Sequence, residues 1–184
     1  MTKNVLVPIS DGVEELEAIT IIDVLRRAGA AVTVASVGLD LAVVASRGTK
    51  LVADAPIAVC VRNNYDLVVL PGGMPGAEHL RDSAEVVEIL KRQRCHGGYY
   101  GAICAAPAVV LAHHGLLEGK KATCYPSMLE ALGESAVADK NVVIDGKCVT
   151  SKGPGTAMEF ALTLTELLFG REKRDKVAAG MLLS

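Results

Sequence analysis

The chain has 184 residues, 19 Lys and Arg against 21 Asp and Glu for a formal charge of −2, and a composition that is 51% hydrophobic and 22% charged. That balance excludes disorder and gives no basic field for nucleic acid, and no apolar run approaches the ~18 residues of a membrane span. A single domain over residues 1–184 is expected. The start, "MTKNVLVPIS", carries neither a secretory nor a transit pattern, so a cytoplasmic location is expected by default. Five scattered cysteines, Cys60, Cys95, Cys104, Cys124 and Cys148, never form a C-x-x-C pair, so they read as free thiols and not as a disulfide scaffold or metal site.

In chain order, "NVLVPI" reads as a buried strand, residues 14–29 as a helix closing on Gly29, and residues 30–38 as the next strand, which makes a β-α-β unit. Residues 41–57 look like short extended pieces joined by turns. "YDLVVLPGG" is a strand running into a Gly-rich loop, and residues 83–94 form a helix. "GYYGAICA" is a strand, residues 106–115 a short helix, and "KATCYP" extended, since Pro126 biases Tyr125 that way. Asp145-Gly146 signals a hairpin within residues 141–151, and a long helix over 155–170 precedes a helical tail. The alternation predicts an α/β doubly wound sandwich, with a mostly parallel central sheet and helices on both faces.

In such folds the reactive crevice lies beyond the carboxyl ends of the strands, where loops lead into helices. Cys104 falls at one of these junctions. Ala102, Ala105 and Ala106 are small residues of the kind a sharp strand-to-helix nucleophile turn requires, and Pro107 suits the first turn of the helix that follows. A thiol at a helix N-terminus is expected to have its pKa lowered below that of free cysteine. The bland alternative is a buried, inert cysteine among good packing neighbours.

Glu17 is the second anomaly. On a helical wheel it lies in the middle of the arc of Val13, Ile21, Val24 and Ala28, so a carboxyl is aimed at the core and must be protonated or paired. Desolvation raises such a pKa and suits the group to general acid or base work. An unseen arginine partner is the competing account. Glu15 points the opposite way and Glu14 lies on the flank, so both read as ordinary solvated or helix-start acids. Pro71-Gly72-Gly73 forms a third loop at the same edge, either a tight turn or a backbone donor to an oxyanion. Gly153-Pro154-Gly155 lacks the phosphate-loop pattern and reads as a helix start. None of the four histidines has ligand spacing, so no metal is expected.

Together "EELEA", "DVLRRAG", "VVLPGG", "AICAAP" and "TSKGPGTAMEFAL" resemble the ThiJ/PfpI superfamily, and within it the DJ-1/YajL-like subgroup. The resemblance implies a flavodoxin-like homodimer with Cys104 as reactive cysteine and Glu17 as its carboxylic partner. It places Gly73 and Ala105 as backbone donors beside the sulfur, and Gly72, Arg27, Arg47, Tyr125 and Pro154 around a substrate or anion pocket. Several relatives have a histidine at the position of Tyr125, and peptidase members have one at the position of Ala105, so chemistry here is expected to rest on Cys104 and Glu17.

Three functions compete. The resemblance implies cofactor-free conversion of small reactive dicarbonyls, by glutathione-independent glyoxalase chemistry or by repair of early glycation adducts. The alternative is a redox sensor or chaperone that signals through oxidation of Cys104. An intracellular cysteine peptidase is the weakest, given Ala105.

Overall fold

The computed structural model describes residues 2–183. Strand β1 (Asn4–Ile9) buries Val5, Leu6, Val7 and Ile9 completely, so it has no solvent face. A strand like that belongs in the middle of a parallel sheet covered on both sides. It pairs in parallel with β2 (Ala31–Ser36) and with β6 (Leu67–Leu70). The seven-stranded sheet is completed by β5 (Ala55–Pro56), β7 (Tyr99–Ile103), β8 (Val142–Asp145) and β9 (Cys148–Ser151), in the order β5-β2-β1-β6-β7-β9-β8. Only the β8–β9 pair is antiparallel; Asp145 faces Cys148 and Gly146 turns at a φ of 61°, so the hairpin signal marks the right turn. The short extended pieces form a separate antiparallel hairpin, β3 (Ala42–Val44) and β4 (Lys50–Val52).

From β1 the chain passes through α1 (Glu15–Arg27) to β2 on one side, whereas β6 leads to β7 on the other. The strand order therefore reverses between β1 and β6, and the crevice at their carboxyl ends is the topological switch point of the sheet. One face of the sheet is covered by α1 and α4 (Ala157–Phe169), whose Ile21, Val24, Leu25, Phe160 and Leu164 share one buried cluster with β1. The opposite face is covered by α2 (Gly76–Asp82) and α3 (Ala84–Cys95), where Leu80, Val86, Ile89 and Leu90 pack with Leu6, Val68 and Leu70. This is the expected doubly wound α/β sandwich. A last helix, α5 (Arg171–Gly180), packs on α4. No helix among the described residues is long and apolar enough to cross a membrane.

Two segments depart from the expected pattern. Residues 76–82, to which the sequence pattern assigns no element, form α2, and Pro126–Ser135 forms 3-10 turns directly after the extended Tyr125. Both follow a proline that fixes φ for a first helical turn, at Pro75 and Pro126. The helix after Cys104 is a six-residue π-type segment, Pro107–Ala112.

Candidate active site

The site is assembled from four loops at the switch point. Strand β7 ends at Ile103, and Cys104 then takes a φ of 64°, the left-handed region that L side chains other than Asn and Asp rarely occupy. Such a conformation costs on the order of 1–3 kcal/mol and persists only where its surroundings fix it. Here the Cys104 N–H donates to the Ser151 carbonyl (3.0 Å) and its own carbonyl accepts from the Tyr125 N–H (2.8 Å). Ala105 and Ala106 are buried behind it. The sharp turn expected from the small residues is present.

Gly72 and Gly73 supply the opposing wall. A Cβ on Gly72 would stand 2.6 Å from the Cβ of Cys104, so only glycine permits this approach. Gly73 has a φ of 92° and packs its α-carbon against the backbone of Gly12, Val13 and Glu14. The Gly72 N–H donates to Glu17 Oε2 (2.8 Å).

Glu17 is fully buried, as the wheel predicts. Glu14 caps α1 by accepting from the Glu17 N–H (2.7 Å), which fixes the first turn that aims the carboxyl inward. No arginine pairs with Glu17: its Oε1 is buried without a hydrogen-bond partner, and the side chain that interacts with the carboxyl is the Cys104 thiol. Burial first, and the nearby Glu14 carboxylate in addition, push Glu17 up to about 7 against the opposing Gly72 and Cys104 hydrogen bonds. The expected proton-holding carboxyl is in place.

The thiol departs from expectation. Cys104 is only 9% exposed; its burial, followed by the facing Glu17 carboxylate, pushes the thiol up to about 12, although the amides of Gly73 and Ala105 favour the thiolate. A helix N-terminus does not depress this pKa, because desolvation and a like-signed neighbour outweigh a few amide dipoles. Sulfur and carboxyl titrate as one unit that gives up a first proton near neutrality and keeps the second well into alkaline pH. Above that first step the pair holds one proton between them. A thiolate beside a protonated Glu17 has the same proton count as a thiol beside a carboxylate.

A cavity of about 440 Å³ opens over the sulfur. Arg47, Gly73, Ala105, Tyr125 and Pro154 line it together with Cys104 and Glu14. Tyr125 is half-exposed, with its ring against Gly153. Within the single chain Arg27 does not line this cavity: it sits in the last turn of α1, exposed and paired with Asp23 (2.7 Å), at the end of the helix remote from Glu17. Gly72 acts behind the cavity wall, through Glu17. Among the described residues no histidine lines the cavity, and no cluster of three or more metal-ligating side chains exists.

Glu15 also departs from expectation. It is buried, 9% exposed, because the turn between β3 and β4 folds over the first turn of α1. Its carboxylate accepts from Ser46 Oγ (3.0 Å), the Arg47 N–H (3.1 Å) and the Thr49 N–H (3.4 Å). Burial alone would raise its pKa, but these hydrogen bonds and that of its own amide hold it at about 2. A helical wheel sees only the face toward the sheet and misses a hairpin packed on the other side. Ser46, Met74, Ser127 and Met128, which also line the cavity, carry no sequence signal beyond closeness to the motifs in the case of Met74.

A family model described as the DJ-1/PfpI family matches residues 3–167. The chain is 52% identical over 172 residues to Protein DJ-1 homolog B of Arabidopsis thaliana, covering 94% of this chain and only 39% of that longer protein. It is 37% identical over 182 residues to a Caenorhabditis elegans protein named glutathione-independent glyoxalase DJR-1.2, covering 98% of this chain and 95% of that one. Among solved structures, oxidized DJ-1 of Toxoplasma gondii superimposes with a TM-score of 0.97 at 46% identity, covering both chains completely.

Proposed function

The chain belongs to the DJ-1/PfpI family, and from that premise we propose that it is a cofactor-free enzyme converting small 2-oxoaldehydes to 2-hydroxy acids, with Cys104 as nucleophile and Glu17 as proton carrier. The observation that carries the reading is the isolated pair itself: a cysteine held at a φ of 64° under an open cavity, facing a fully buried carboxyl that has no cation to neutralise it. The relative named as a glyoxalase supports the substrate class.

In the proposed sequence Glu17 takes the thiol proton as the sulfur adds to the aldehyde carbon, giving a hemithioacetal. The oxyanion formed there accepts from the amides of Gly73 and Ala105. Glu17 returns the thiol proton to that oxyanion and, again a carboxylate, takes the proton from the former aldehyde carbon to give an enediolate; the hydroxyl proton passes to the neighbouring oxygen and Glu17 delivers its proton to the neighbouring carbon, which leaves a 2-hydroxy thioester on Cys104. Water hydrolyses the thioester, releasing the 2-hydroxy acid and restoring the thiol. The sum is dicarbonyl plus water to hydroxy acid, with no net oxidation and no cofactor in the balance. Repair of early glycation adducts would use the same nucleophile on a carbonyl already bound to an amine or thiol.

The test is lactate formation from methylglyoxal by purified protein without glutathione. Turnover that is lost in both Cys104→Ser and Glu17→Ala supports the mechanism; equal turnover by either variant removes it.

A second reading, redox sensing, is favoured by the partnerless Glu17 Oε1. Two equivalents of peroxide convert the Cys104 thiol to a sulfinate with release of two waters, and a protonated Glu17 can donate to a sulfinate oxygen. Selective gain of two oxygens at Cys104 under mild peroxide supports it, and indiscriminate oxidation that includes exposed Cys95 counts against it. A peptidase finds little support, since no histidine stands by the sulfur. The exposed Leu16 and Ile19 on α1, with Val44 and Val52 on the β3–β4 hairpin, support a homodimer; sedimentation at twice the chain mass tests it.

A further inference from the structure

We infer that Glu15 is a positioning residue that acts through Arg47: its buried carboxylate pins the β3–β4 turn so that the Arg47 guanidinium is held at the mouth of the cavity over Cys104. The inference builds on the reading of Cys104 as a reactive nucleophile, not on any particular substrate.

Apart from the Glu15 carboxylate, the turn is held by the Ser46 N–H, which donates to the Val13 carbonyl (2.8 Å), and by its own backbone. It closes through the Ala45 N–H to the Thr49 carbonyl (2.8 Å) and the Gly48 N–H to the Ala45 carbonyl (2.9 Å), with Gly48 at a φ of 90°. Three further donors face inward: Ser46 Oγ and the amides of Arg47 and Thr49. All three are met by the one carboxylate of Glu15. Arg47 and Thr49 are exposed and these bonds are half-buried, so without the carboxylate water takes up the donors and the turn loses three ties to α1. Ser46 and Arg47, two of the three residues that donate to the carboxylate, are also the two residues of this turn that line the cavity. Among the described residues the exposed Arg47 side chain makes no ion pair, so no acidic side chain draws its charge away from the cavity that it lines. Glu15 lies two residues before Glu17 on α1, so the helix turn that carries the proton carrier also anchors the cation.

The test compares alkylation of Cys104 by iodoacetate and by iodoacetamide, which share a leaving group and differ in charge, with the site followed by mass spectrometry to separate it from exposed Cys95. The variants are Glu15→Gln, Arg47→Ala and the double substitution. A cation held near the sulfur favours the anionic reagent by roughly three- to fivefold in partly wet surroundings. The iodoacetate-to-iodoacetamide rate ratio is therefore expected to fall by about that factor in Arg47→Ala and in Glu15→Gln, with no further fall in the double variant. The direction is diagnostic: simple loss of a negative charge at position 15 would raise the ratio, whereas loss of the Arg47 position lowers it. An unchanged or raised ratio in Glu15→Gln, no effect of Arg47→Ala, or additive losses in the double variant would each overturn the inference. So would a collapse of the iodoacetamide rate itself in Glu15→Gln, which would make Glu15 a support of the whole site. Alkylation needs no turnover, so failure of the proposed dicarbonyl chemistry would leave this result readable on its own.

Discussion

Replacing Glu17 by glutamine isolates the energetic consequence of burying an unpaired carboxyl. In the folded protein the group is fully buried and ionises at about 7, against 4.5 for a free glutamate side chain, with burial as the largest cause. As pH rises from 4.5 to 7 the unfolded chain releases this proton while the folded one retains it, so the folded state loses stability through that window. Above the folded pKa the deficit levels off at about 3 kcal/mol, from about 2.5 pH units at ~1.4 kcal/mol each. Glutamine keeps an acceptor for the Gly72 N–H and does not ionise. The Gln variant is thus expected to gain on wild type by about 3 kcal/mol at pH 8 and by about 1 kcal/mol or less at pH 5. Any packing difference between the side chains is the same at both pH values and cancels in the comparison. Urea unfolding at fixed protein concentration measures it: with an m value of ~2 to 3 kcal/mol/M, the midpoint of the variant lies ~1 M above wild type at pH 8 and much closer to it at pH 5. A gap that does not change with pH would refute the reasoning, because it would mean that Glu17 ionises alike in both states.

Gly72→Ala tests the close approach under the nucleophile. A Cβ placed 2.6 Å from the Cys104 Cβ and 2.9 Å from the Ile103 carbonyl forces backbone to move, so a loss of about 2 kcal/mol or more in chemical denaturation is expected, together with loss of Cys104 alkylation. Tyr125→His tests whether the tyrosine restrains catalysis: a basic nitrogen at the cavity wall is expected to raise methylglyoxal turnover in steady-state assays, and unchanged or lower turnover would show that the pair works without help from position 125.

The main layers of the fold were legible because their signals are local and periodic. The apolar run of β1 can only be a strand covered on both faces, and Glu17 stands out because it interrupts the buried arc of α1. The small residues around Cys104 foretold its turn, where Cys104 takes a positive φ and Ala105 and Ala106 are buried. What escaped depends on contacts distant in sequence. Glu15 is buried by a hairpin that begins some thirty residues later, and the cavity wall at Ser127 and Met128 comes from 3-10 turns without a strong period. Arg27 is a pocket residue by resemblance, and within the single chain α1 carries it away from the end where Glu17 lies. The thiol was misjudged for a related reason: the dipole of a following helix is visible in sequence, whereas the burial of the sulfur and the carboxylate facing it exist only in the folded chain.

The pH dependence of Cys104 alkylation by iodoacetamide, in wild type and in Glu17→Gln, tests the shared proton most directly. If sulfur and carboxyl release their first proton as a unit, wild type shows a rise in rate centred near pH 7 followed by a plateau. In Glu17→Gln the buried sulfur has lost its proton acceptor, and the rise moves up by more than about one pH unit. A midpoint that stays in place or moves down in the variant would show that Cys104 ionises independently of Glu17, and would contradict the account.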